Sequence, residues 1–75
     1  MNKSRRKRIS DVINKLKEIM DDIQEIKDEE EEAYDNLPEG LKLADKGVQM
    51  EDNVSSLEGC HDDIENVVST LEEMS

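Results

Sequence analysis

The sequence predicts an all-α protein, an antiparallel two-helix hairpin of coiled-coil type that pairs with a second copy into a four-helix bundle. Two series of apolar residues at helical spacing, interrupted by one proline-containing break, predict the hairpin. Three Gly and one Pro in 75 residues are too few turn residues for a chain of short strands. The apolar stripes are wider than one hairpin can cover, and a chain this small rarely holds together without a staple, which predicts the pairing. The chain reads as a single domain, residues 1–75, with a basic segment at 1–8, a first helix at 9–36, a turn at 37–44 and a second helix at 45–74.

The first helix is carried by Ile9, Val12, Ile13, Leu16, Ile19, Met20, Ile23, Ile26, Ala33, Tyr34 and Leu37. With Ile9 as heptad a, Leu16, Ile23 and Leu37 also fall at a, Val12, Ile19, Ile26 and Ala33 at d, and Ile13, Met20 and Tyr34 at e. The break comes at Asn36-Leu37-Pro38-Glu39-Gly40, because a residue before proline avoids the helical region and glycine supports a tight reversal. In the second helix Met50, Leu57, Ile64 and Leu71 repeat at a, with Cys60, Val67 and Met74 at d and Val54, His61 and Val68 at e. Asp45 is the expected N-cap. Glu30 at a and Asn53 at d fall at a similar level near the loop. Either they form one polar layer that fixes register, or the hairpin splays there and both are wet; the wet arrangement is slightly favoured.

Composition excludes several function classes. Tyr34 is the only aromatic residue, so stacking platforms for bases or sugars and aromatic-lined ligand pockets are absent. One His, scattered Ser residues and no Gly-rich phosphate loop leave no catalytic constellation, and we expect no enzyme, no catalytic residue and no cofactor. Glu58-Gly59-Cys60-His61 contains Glu-x-x-His, the spacing that places two metal ligands on one face of a bundle. Glu58, however, falls at b on the outer face, and no inward acid of the first helix lies level with it. We therefore expect no metal, with His61 a boundary residue and Cys60 a small buried core residue. A lone cysteine makes no intramolecular disulfide, which fits a reducing compartment. The opening MNKSRRKR resembles a signal-peptide start, but Asp11, Asn14, Lys15 and Lys17 break the apolar stretch that should follow. The expectation is a cytoplasmic protein without a membrane partner.

Charge is the dominant feature. Lys3, Arg5, Arg6, Lys7 and Arg8 precede every one of the 21 acids, and the whole chain carries −11. Such a surface repels nucleic acid and anionic membranes and attracts basic clefts. The hairpin is expected to bring the basic run beside Glu72 and Glu73, where ion pairing is favoured over nucleic-acid binding. In the first helix Glu18, Glu25 and Glu32 at c alternate with Asp21, Asp28 and Asp35 at f, a row of carboxylates about 5 Å apart at ~1.5 Å rise per residue. A row of that spacing can imitate a phosphate backbone; the plainer reading is a face kept acidic for solubility.

The stretch Glu32-Ala33-Tyr34-Asp35-Asn36-Leu37-Pro38-Glu39-Gly40-Leu41, after a helix opening RRKRISDVINKLKEI and before the Met50 to Met74 helix, resembles a group of short uncharacterised acidic hairpin proteins of Firmicutes and their phages. The YDNLPE turn is its specific part. The resemblance implies an association with mobile elements, where small acidic proteins inhibit host defence. It also marks Tyr34, Asn36, Leu37 and Pro38 as a candidate turn epitope. Val54, Ser55, Ser56 and Gly59-Cys60-His61 depart from the Ala-rich, Glu-rich second helix of that group, so a surface carried there has diverged. The expected function is that of an acidic interaction protein, a homodimer. Its acidic row would block a basic partner such as a host nucleic-acid-binding or defence protein. The alternative is an accessory coiled-coil module that binds itself or a partner helix.

Overall fold

The computed structural model describes residues 1–75 and contains three helices: α1 (Lys3–Asp35), the single turn α2 (Glu39–Lys42) and α3 (Asp45–Met74). There are no strands. α1 and α3 lie side by side along a rod 58 Å long and 15 by 12 Å across. Glu30 meets Asn53 near the turn and Lys17 meets Glu72 towards the open end, so the two helices run antiparallel. No helix is long and apolar enough to cross a membrane.

α1 starts six residues earlier than the apolar pattern indicates. Asn2 supplies the reason: its backbone is extended and its Oδ1 accepts the Arg5 N–H at 2.9 Å, which satisfies one of the unpaired donors of the first turn. The basic run is thus helical. Apolar periodicity could not locate this start, because Lys3 to Arg8 contain no apolar residue. α1 ends where expected, with the Asn36 N–H bonded to the Glu32 carbonyl at 3.1 Å and the Leu37 N–H to that of Tyr34 at 3.0 Å.

Gly40 does not make the reversal by adopting a left-handed conformation; no residue has positive φ. Pro38 instead begins a new turn, its carbonyl accepting from Leu41 at 2.9 Å and Lys42 at 3.1 Å, and Gly40 lies inside α2. The N-cap of α3 is Ala44 rather than Asp45. Ala44 has extended backbone and offers no side-chain acceptor, while Asp45 sits in the first turn, where its charge favours the positive helix end. Gly47 is the residue that the connection depends on. It is buried, and a Cβ there would stand 2.6 Å from the Lys42 carbonyl carbon and collide with its oxygen. Only glycine lets α3 leave the turn this close to the preceding backbone.

The seam between the helices uses a and e, not a and d. Ile13 (e) and Val68 (e) are the most enclosed apolar side chains, at 6% and 5% exposure. Ile9, Leu16, Met20, Ile23, Leu57, Ile64 and Leu71 are half-buried beside them. Full burial of such side chains stabilises by about 1.5–3 kcal/mol each, so this thin seam supplies only a modest total. Every d position except Asn53 is left open, including Cys60, which is exposed rather than buried. Asn53 settles the polar layer in favour of contact: its Nδ2 donates to Glu30 Oε2 at 2.8 Å, and its Oδ1 accepts from Gln49 at 3.0 Å. The helices do not splay there.

Candidate functional site

Antiparallel pairing places like heptad positions of the two helices on the same side of the rod. One side carries the e and b residues; the other carries d and g. On the e/b side a shallow concavity near the turn is lined by Glu31, Tyr34, Asp35, Glu51, Asp52 and Val54. The Tyr34 phenol is raised above its ordinary 10.0, chiefly by a side-chain hydrogen-bonding interaction with Glu51, then by desolvation and by the charges of Glu51, Glu39 and Asp35. Lys42 Nζ stands 5.5 Å from the centre of the Tyr34 ring, a cation–π contact that ties α2 to α1. Leu37 is half-buried, whereas Asn36 and Pro38 are exposed. Of the four turn residues singled out in the sequence, then, Tyr34 and Leu37 are part-buried, while Asn36 and Pro38 hold the turn through their backbones and leave their side chains free.

Lys17 and Glu72 also meet on the e/b side, at 3.5 Å. Side chains of α-helices lean towards their own N-terminus, so in antiparallel helices Lys17 leans towards the open end and Glu72 towards the turn, and the two converge. Both remain more than half exposed, which limits the pair to a fraction of a kcal/mol, about 0.2–1. This replaces the expected pairing of Glu72 and Glu73 with the basic run. Lys7 pairs within its own helix to Asp11 at 3.3 Å, and Lys3, Arg5, Arg6 and Arg8 make no ion pair.

The c/f row lies on the back of α1, opposite the seam. Glu18, Asp21, Glu25, Asp28, Glu32 and Asp35 are all exposed on one uninterrupted helix. None of the six takes part in an ion pair. Asp28 alone has a side-chain partner, the neutral amide of Gln24 at 3.0 Å. Like charges three and four residues apart repel by about 0.2–0.5 kcal/mol per pair, so the row costs stability that only the Gln24–Asp28 hydrogen bond offsets in part.

The d/g side carries a different chemistry. Val12, Ile19 and Ile26 of α1 are 44%, 44% and 51% exposed, and Val67 and Met74 of α3 are 50% and 42% exposed. A groove at the open end is lined by Met1, Arg5, Arg8, Ile9, Val12 and Leu71. A second groove, in the turn half, is lined by Ile26, Glu29, Glu30, Asn53, Ser56 and Leu57. Heptad labels alone missed this division, since they treat d and e as equal flanks of a.

His61, Asp62 and Glu65 form the one group whose ligand atoms lie within 4.8 Å of each other. His61 Nδ1 is 3.6 Å from Asp62 Oδ1. Two of the three are exposed side chains of one helix, and Glu58 is not among them. The group lacks the inward carboxylates from several helices that a bundle metal centre uses.

No protein-family model matches the chain, and neither does any curated protein or solved structure with which it was compared.

Proposed function

We propose that this chain is a small non-enzymatic interaction protein, a phage-type inhibitor acting in the host cytoplasm. It self-associates as a four-helix bundle and offers the acidic row of α1 to a basic, nucleic-acid-binding partner such as a host-defence enzyme. The observation that carries this reading is the row itself: six exposed carboxylates on a single helix without an ion-pair partner, kept at a cost in helix stability. A basic cleft that binds phosphates by charge and counterion release would gain in the same way from this row. Self-association and partner binding do not compete, because the row lies on the back of α1 while the exposed d residues lie on the side. The resemblance of the YDNLPE turn to acidic hairpin proteins of Firmicutes and their phages points to the same class of partner. Direct binding of nucleic acid or membrane is opposed by the net charge of −11.

The test is a capture experiment with the set Glu18→Gln, Glu25→Gln, Asp28→Asn and Glu32→Gln. The intact chain should retain a basic nucleic-acid-binding protein, release it as salt rises, and lose it to added DNA. The neutralised set should retain none while staying helical. Equal retention by the two, or a ternary complex with nucleic acid, would refute mimicry.

The open d side favours a second reading, an accessory coiled-coil module whose only partner is another helix. Assembly of that kind is driven by apolar burial, so it persists or strengthens at high salt.

A further inference from the structure

We propose that the d side is covered by a second copy turned end for end. α1 then packs on the partner's α1 with Ile19 at the two-fold axis, and the Arg5–Arg8 groove of each copy lies on the Glu29–Glu30 groove of the other. This rests on the reading that two copies associate, and adds their orientation and the residues that set it.

Three observations converge on the arrangement. The first is the spacing of the exposed apolar residues. If Ile19 meets the partner's Ile19, Val12 meets the partner's Ile26, and the α1 stripe closes on itself. On α3 the corresponding closure sets Cys60 on the partner's Val67, with the axis midway between them. Counting from the Glu30–Asn53 contact, that midpoint is level with residues 19–20 of α1, so both stripes call for one axis. One side of a rod 58 Å long and 15 Å wide also offers an area of the order that a standard interface buries, about 800 Å² per partner.

The second observation is the distribution of charge along the rod. Residues 1–19 hold seven basic and two acidic residues, a net of +5, whereas residues 20–36 hold nine acids and only Lys27, a net of −8. In α3, residues 45–59 carry −3 and residues 60–75 carry −5. Two copies stacked turn on turn would set the acidic half of α1 against the acidic start of the partner's α3. Two copies stacked end for end bring Arg8 and Lys15, at g positions of the basic half, level with the partner's Glu29 and Asp22, at g positions of the acidic half, and the weaker repulsion falls between the α3 helices.

The third observation is that α1 is charged against its own dipole at both ends. Its first turn holds no acid and its last turn no base, and four residues of the basic run are without an ion pair. Each such charge is unfavourable at the helix end where it stands. An end-for-end partner corrects both ends at once by bringing its acidic half to the basic end. Apart from Lys7, which pairs with Asp11, the basic run has found no acid within its own hairpin, and this arrangement supplies one. The c/f row stays on the outside.

The test is pulsed electron-electron resonance on two spin-labelled proteins in a Cys60→Ser background. Leu43→Cys lies at the turn and Glu65→Cys near the level of the axis on the outer side of α3; both positions are exposed. End-for-end packing predicts a Glu65 pair within about 30 Å and a Leu43 pair at about 50 Å or more, from ~1.5 Å per residue on either side of Ile19. Short distances at both positions would overturn the orientation and leave self-association standing. No inter-label distance at either position, with helicity intact, would overturn the orientation and the self-association together.

Discussion

The two long sides of this rod have similar apolar content and opposite fates. At the e positions Ile13 and Val68 are sealed in the seam, while at the d positions Ile19 and Val67 remain about half exposed. Hydrophobicity did not choose between them. The connection did: Gly47, at an e position, presses on the Lys42 backbone, and Tyr34, also at e, lies under the Lys42 ammonium. Once the turn has fixed the rotation of α3 in this way, the e residues along the rest of the rod follow inward. A wide apolar stripe therefore says that two contacts exist, and the turn decides which of them is intramolecular.

The sharpest way to break the comparison is to place the same charge on each side. Ile13→Asp buries a carboxylate without a partner in a seam too thin to tolerate it, and should cost more than about 3 kcal/mol, enough to abolish the helical circular dichroism at room temperature. Ile19→Asp should leave the helicity of the hairpin intact and abolish association in sedimentation equilibrium. Equal loss of helicity in both variants would mean that the d side also sustains the fold of a single hairpin.

The next largest effect separates the two glycines of α3. Gly47→Ala drives a methyl group into the Lys42 carbonyl, which is backbone and cannot step aside, so at least about 2 kcal/mol should be lost in denaturant unfolding. Gly59 is exposed in mid-helix, and a Cβ added there would meet nothing within 4 Å. Gly59→Ala should stabilise by about 0.5–1 kcal/mol through helix propensity. Opposite signs from one chemical change would show that the turn, and not α3 as a whole, carries the constraint.

Neutralising the acidic row gives a smaller effect. The row has five neighbouring like-charge steps, each worth about 0.2–0.5 kcal/mol, so the Gln and Asn set that should lose its partner should also unfold at a higher temperature, by roughly 4–20 °C. A solubility face and a binding face both predict that rise. Only the binding face predicts loss of the partner with it.

How far the sequence reaches depends on which signal carries each feature. The two long helices and the break at Pro38 were legible because 3-4 periodicity and proline sterics are local. So was the back-face position of the acidic row, which is exposed wherever the a residues face inward. The start of α1 was written in Asn2, a cap signal overshadowed by the basic run that follows it. Glu30 and Asn53 were visible as polar residues in an apolar stripe, yet their contact depends on how closely the two helices approach, which is not a local property of either stretch. Cys60 was misplaced for the same reason, since the choice between d and e is made by a non-local contact.

The smallest effect tests the lock at the turn itself. Tyr34 is held above its ordinary 10.0 chiefly by its interaction with the Glu51 carboxylate, then by desolvation and by the charges of Glu39 and Asp35, which oppose a phenolate. A pKa that is higher in the folded than in the unfolded chain gives a contribution fully present below the unfolded value and lost as pH rises through the folded one. Stability should therefore hold from neutral pH to about the ordinary tyrosine value and then fall, more steeply than in Tyr34→Phe, which has no proton to lose. As the only aromatic residue, Tyr34 reports its own ionisation in near-ultraviolet absorbance without interference. Its midpoint should lie above 10.0 in the folded protein, return towards it in denaturant, and fall part of the way with Glu51→Gln. A folded-state midpoint unaffected by Glu51→Gln would separate Tyr34 from α3 and return the choice of the e side to Gly47 alone.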